Sequence, residues 1–86
     1  MAKLTRPLVK KFVFGYFSDH FHVPESYFSE DTNLRDDLLY TNESLVELGR
    51  WINRANWHNA YVLPGEIARC TTIGDVIDLI WKKAKK

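Results

Sequence analysis

Cysteine is almost missing from this sequence, with Cys70 its single representative. One thiol excludes an intramolecular disulfide and a cysteine-rich zinc site, and it makes a reducing compartment, the cytoplasm, the expected location. Long apolar runs are missing too. Nothing approaches the roughly 20 residues a membrane helix needs, and the opening Met1-Ala2-Lys3-Leu4-Thr5-Arg6-Pro7 lacks the apolar stretch of a secretory signal, so a mature soluble chain is expected. Nor is there an excess of one charge: twelve Lys and Arg against eleven Asp and Glu leave a net +1. No strong overall field therefore argues for nucleic acid or membrane. Strand-like alternation, internal repeats and low-complexity segments are also absent.

What remains is 86 residues, 45% of them hydrophobic, which is enough for one domain and one core. A domain this short buries only about 60% of its unfolded surface, so its three Trp, four Tyr and five Phe must carry much of the packing. Charge is unevenly placed. Acids gather in the middle, from Glu25 through Glu30, Asp31, Asp36 and Asp37 to Glu43 and Glu47. Bases lie at the ends, in Lys3, Arg6, Lys10 and Lys11 and in the tail Lys82-Lys83-Ala84-Lys85-Lys86. That tail could touch phosphates, but lysines in a last helical turn also complement the helix dipole.

Apolar residues at Leu8, Val9, Phe12, Val13, Tyr16 and Phe17 recur at three- and four-residue steps and predict a first helix from Thr5 to His20. Thr5 suits its N-cap and Pro7 its first turn, while Gly15 inside the stripe weakens it by about 1 kcal/mol relative to alanine. Val23-Pro24 should end it. From Pro24 to Asn42 the chain reads as a long connection anchored by Phe28, Leu34, Leu38 and Leu39, with short turns at Glu25 to Phe28 and Asp36 to Leu39. Leu45, Leu48, Ile52 and Ala55, with Trp51 beside them, mark a second helix from Ser44 to about Trp57, with Thr41, Asn42 or Ser44 as cap. Pro64 to Ala68 reads as a short third helix. Thr72 to Lys83 is the fourth, opened by Thr72 with Asp75 three positions on and buried through Ile73, Val76, Ile77 and Ile80.

This order, with several short matches, resembles an acyl carrier protein over nearly the whole chain. Val9-Lys10-Lys11 is similar to the start of the first carrier helix and Phe21-His22-Val23 to its end. Leu34-Arg35-Asp36-Asp37-Leu38 resembles the F-x-x-D-L signature, Leu63-Pro64 the I-P step, and Thr71-Thr72-Ile73-Gly74-Asp75 the T-T-V-G-D run. The resemblance implies an all-α, antiparallel four-helix bundle and a non-enzymatic function. An acyl or aminoacyl group would be held as a thioester on 4′-phosphopantetheine, in specialised fatty-acid-like or polyketide-like biosynthesis. Its implied partners are a magnesium-dependent phosphopantetheinyl transferase that uses coenzyme A, and acyl-transferring or acyl-activating enzymes. The protein would be a monomer.

The family's D-S-L serine, which carries the arm, falls in one of two frames here. Counting forward from Asp37-Leu38 places Asn42 there, and asparagine cannot form the phosphodiester. Counting backward from Thr71-Thr72 lands on Ser44, within Glu43-Ser44-Leu45. The Ser44 frame is preferred: it puts Leu45, Leu48, Trp51 and Ile52 where the carrier helix buries side chains and leaves two extra residues in the loop, whereas the Asn42 frame puts Gly49, Arg50 and Asn56 there. A helix start also favours an anion through its unpaired N–H groups, although a serine there can equally be a plain cap.

Acids usually stand two and five positions after the serine. Val46 and Gly49 stand there instead, and Arg50, Arg54 and His58 give the helix a basic side, which points to a dedicated set of partners. Glu43, Leu45, Val46, Arg50, Arg54 and Trp57 are the expected partner-facing residues. A runner-up keeps the fold without the cofactor, as a protein-interaction adaptor. A third option, a helical DNA-binding domain with Arg50 and Arg54 one turn apart, sits poorly with the near-neutral charge. Asp19 with His20-x-His22 falls short of a metal site, and Cys70 has no histidine marked as its base. Gly49 could leave room for an acyl tunnel, and an exposed Trp57 or Trp81 would suggest an interaction surface.

Overall fold

The computed structural model describes residues 4–84; Lys3, Lys85 and Lys86 of the basic ends lie outside them. Four helices follow one another: α1 (Arg6–Phe21), α2 (Asn42–Ala55), α3 (Pro64–Ala68) and α4 (Ile73–Lys83). Among the described residues there is no strand, only an isolated bridge between Asn33 and Thr72. No helix among the described residues is long and apolar enough to cross a membrane.

Each helix end has a local cause. Thr5 precedes α1 in extended geometry with Pro in the first turn, but its side chain makes no capping bond; Val9 and Leu8 instead donate to its carbonyl. α1 stops where His22 enters the left-handed region, with Val23 donating to the Ser18 carbonyl. Leu8 and Phe14 exchange their expected places: Leu8 is exposed, and Phe14 joins Val9, Val13 and Phe17 in the core.

α2 begins two residues earlier than expected, because Thr41 is the residue whose hydroxyl caps it. It also ends two residues earlier, at Ala55. Asn56 takes a left-handed conformation there, which asparagine tolerates better than most residues, and a single turn at Trp57–Asn59 follows. α4 keeps its expected opening: Thr72 Oγ1 accepts from the Asp75 N–H, and the Asp75 carboxylate accepts from the Thr72 and Thr71 N–H groups.

The long connection is fastened to the head of α4. Leu34 donates to the Thr71 carbonyl at 2.9 Å, while Ile73 and Gly74 donate to the Thr32 and Glu30 carbonyls at 3.0 and 2.8 Å. Two N–H groups that a helix start leaves without partners are thereby satisfied by loop carbonyls. Gly74 permits the approach, since a Cβ there would stand 3.0 Å from the Glu30 carbonyl oxygen. Arg6 then holds Glu30 at 2.6 Å and Asp78 at 2.8 Å, joining loop, α1 and α4.

α1 packs on α4 and α2 on α3 around one core that includes Val9, Val13, Phe17, Leu34, Leu45, Leu48, Ile52, Ile67, Ile73, Ile77 and Ile80. Burying such side chains is worth about 1.5–3 kcal/mol each before the entropy of ordering them is subtracted.

Candidate functional site

The two frames for the carrier serine meet at the first turn of α2. Asn42 is the first helical residue, and its Oδ1 accepts a 2.6 Å bond from Arg35 Nη2. The same Arg35 nitrogen reaches the Ala68 carbonyl at 3.4 Å, so it ties the loop to the head of α2 and the end of α3. Ser44 is the third helical residue. Its N–H donates to Thr41 Oγ1 at 3.2 Å, and the two hydroxyls lie 3.1 Å apart. Half-buried, it borders a cleft of about 210 Å³ lined by Tyr16, His20, Tyr40 and Glu47.

The two positions offer a phosphodiester different surroundings. An amide at Asn42 offers no hydroxyl, and its oxygen is engaged by Arg35. A phosphodiester on Ser44 would share a cleft with the Glu47 carboxylate and two phenols, Tyr16 and Tyr40, whose ionisation burial pushes above its ordinary range. The buried face of α2 is compatible with both frames. Leu45, Leu48 and Ile52 are buried in a helix that nevertheless starts at Asn42, and the fourth buried position is Gly49. Burial identifies the inward face of a helix without fixing its first residue.

Gly49 does not open a tunnel. A Cβ on it would lie 3.1 Å from Ile67 Cγ2, so the missing side chain is what lets α3 press against α2. The expected partner residues divide accordingly. Leu45 is fully buried and belongs to the core, which corrects its place on a partner face. Glu43, Arg50 and Arg54 are exposed, Val46 is half-buried, and Arg50 pairs with Glu47 one turn back at 2.7 Å. Trp57 is half-buried, stacked on Phe12 at 4.3 Å between ring centres. Trp81 is likewise only partly exposed.

Three of the expected residues, Glu43, Val46 and Arg50, share a surface with Tyr61 and Pro64, which the sequence did not single out as partner-facing. Val46, Arg50, Tyr61 and Pro64 line a groove of about 250 Å³ between α2 and the segment before α3, and it continues towards Asn42 and Glu43. Tyr61 is 61% exposed and Leu63 52%. The segment is held by Asn53, whose Nδ2 donates to the Val62 carbonyl at 2.9 Å while its Oδ1 accepts the Val62 N–H at 2.8 Å. That pair satisfies a backbone donor and acceptor which packing of Val62 would otherwise bury without partners. The signal was an asparagine directly after Ile52, beside the apolar face of α2.

Among the described residues no three His, Cys, Asp or Glu side chains converge for a metal, and His20 stacks on Tyr16. Cys70 is buried, and burial pushes its thiol up to about 12, far from a reactive thiolate at neutral pH. No protein-family model and no curated protein matches this chain.

Proposed function

We propose that the protein is a non-enzymatic module of acyl-carrier type, an antiparallel four-helix bundle. It works in the cytoplasm by binding partner proteins and carries no phosphopantetheine arm. One observation carries this reading: the residue at the head of α2 is Asn42, held by Arg35, with Ser44 turned back towards its cap inside the first turn. The partner surface is the neighbouring groove. Glu43 and Glu47 stand beside Arg50 on its α2 wall, and Tyr61 supplies an exposed aromatic on the other. Mixed charge around an aromatic anchor favours a specific partner over any strongly basic or strongly acidic one.

The test is intact mass after incubation with coenzyme A, magnesium and a permissive phosphopantetheinyl transferase, on wild type, Asn42→Ser and Ser44→Ala. The expected result is no gain for wild type and one phosphopantetheine for Asn42→Ser. A gain in wild type that Ser44→Ala abolishes would overturn the proposal and make the chain a working carrier with its arm on Ser44.

A further inference from the structure

The seam between α1 and α2 is built unlike the rest of the molecule. Phe12, Tyr16 and His20, spaced one turn apart on α1, interleave with Trp51 and Trp57: Phe12 stacks on Trp57 and Trp51, Tyr16 lies 4.0 Å from Trp51, and His20 stacks on Tyr16. None of the five is fully buried, so this aromatic ladder keeps an edge open to solvent. Beside it lies an open trough of about 480 Å³ lined by Phe12, Gly15, Tyr16, Asp19, His20 and Trp51. That volume falls in the range of ligand sites.

Gly15 is the informative residue. It sits in the middle of a 16-residue helix, where glycine is unfavourable, and its φ is negative, so no backbone conformation demands it. A Cβ there would meet nothing within 4 Å. The other buried or half-buried glycines, Gly49 and Gly74, are explained by Ile67 and the Glu30 carbonyl pressing on them; Gly65, also unopposed, lies exposed on the five-residue α3. At Gly15 internal packing supplies no reason, and the space it leaves is the floor of the trough. Asp19 stands one turn along the same wall, exposed, and among the described residues its carboxylate has no ion pair or side-chain hydrogen bond, as is also true of Glu25 and Glu43, neither of which lines the trough.

We infer that this trough is a binding site for a planar cation, the guanidinium of an arginine presented by a partner protein, laid over the bare backbone at Gly15 beside the aromatic side chains that line the trough and paired with Asp19. Three features select that group together. An aromatic wall attracts a cation and offers a surface for a flat one. A floor without a side chain admits a plane and its stem. A carboxylate at one end, unengaged among the described residues, accepts the two parallel N–H donors that a guanidinium presents and an ammonium does not. The site is on a different face from the α2 groove and does not depend on which residue heads α2.

The experiment is a two-dimensional amide and indole NMR titration of the intact protein with a blocked Ala-Arg-Ala tripeptide. The same peptide with citrulline in place of arginine, and agmatine, serve as comparisons. The expected result is saturable shifts of the Gly15 amide and the Trp51 indole N–H. Affinity should fall at least about tenfold with the citrulline peptide and in Asp19→Asn, the scale of one charge-assisted pair. Filling the floor with Gly15→Leu should abolish the shifts; should that variant not fold, the exposed Asp19→Asn decides alone. Equal binding of the citrulline peptide, or no change in Asp19→Asn, would overturn the proposal. So would two other results: agmatine binding more tightly than the peptide, which would make the ligand a small free cation, or the same resonances moving with protein concentration alone, which would place a second copy of the chain in the trough.

Discussion

On one side of α2 the helix meets α3 so closely that a glycine is needed, and on the other it meets α1 across an open seam that a glycine enlarges. At Gly49 the space a side chain would take is already filled by Ile67; at Gly15 it is empty. The α2–α3 side is further fixed by Asn53 on the Val62 backbone and by Arg35 on Asn42 and Ala68. The α1–α2 side is held by stacked rings that stay partly exposed. Both glycines look alike in the sequence, as helix-weakening residues inside an apolar stripe. Their difference teaches that close approach and cavity formation, two uses of a missing Cβ, are separated only by what stands opposite.

The largest effect should come from emptying the closed side. Ile67 is fully buried against Gly49, so Ile67→Ala removes most of a side chain where α2 carries nothing to collapse into the gap. The expected loss is about 2–5 kcal/mol of unfolding free energy, read from urea denaturation at 25 °C. A loss below about 1 kcal/mol would mean that the two helices readily close over the void and that the contact is not the tight one described. The glycines themselves give the next contrast. Gly49→Leu should cost about 1–3 kcal/mol by overpacking Ile67 and Val62, while Gly15→Ala should stabilise the protein by about 0.5–1 kcal/mol, because it gains helix propensity and meets no neighbour. Shifts of the same sign in the two variants, in the same denaturation series, would erase the distinction between the two sides.

Much of this framework is legible in the chain. α3 has the expected bounds, and α4 has the expected Thr72–Asp75 opening, because both starts are written in local chemistry: Pro64 in a first turn and a hydroxyl paired with a carboxylate three residues on. The start of α2 is harder, since Thr41, Asn42 and Ser44 all make good caps, and only the three-dimensional path of the loop selects Thr41. That path is set by Leu34, which enters the core, and by the Tyr40 N–H donating to the Leu34 carbonyl. Candidate site residues suffer from the same ambiguity. Periodicity puts Leu45 on the apolar stripe with Leu48 and Ile52, and its burial agrees with that stripe and not with the partner face on which the resemblance placed it. The clamp by Asn53, the Arg35 link and the trough at Gly15 all join residues distant in sequence, so no local pattern announces them.

The smallest expected effect tests a third way of joining elements, by charge at the surface. Arg6 binds Glu30 and Asp78, with Lys10 3.6 Å from Glu30, so the long connection is pinned to α1 by ions as well as to α4 by backbone bonds. The hydrogen bond from Arg6 is the main reason that the Glu30 carboxyl is held below its ordinary range. A carboxyl whose pKa is lower in the folded than in the unfolded chain binds fewer protons when folded. Its contribution is therefore complete above the unfolded value of about 4.3 and is lost as pH falls through the folded value. The groups are partly exposed, so screening limits the contribution to about 1 kcal/mol or less. Wild type should exceed Glu30→Gln in urea midpoint near neutral pH, and the gap should close in acid below about pH 4, while 1 M salt should narrow it at neutral pH. The backbone bonds from Ile73 and Gly74 survive in Glu30→Gln, so the loop should stay docked throughout, visible as unchanged amide shifts at Leu34 and Gly74. A midpoint gap that stays constant from neutral pH to acid would show that the Glu30 side chain acts through packing alone and that charge has no part in joining the loop to α1.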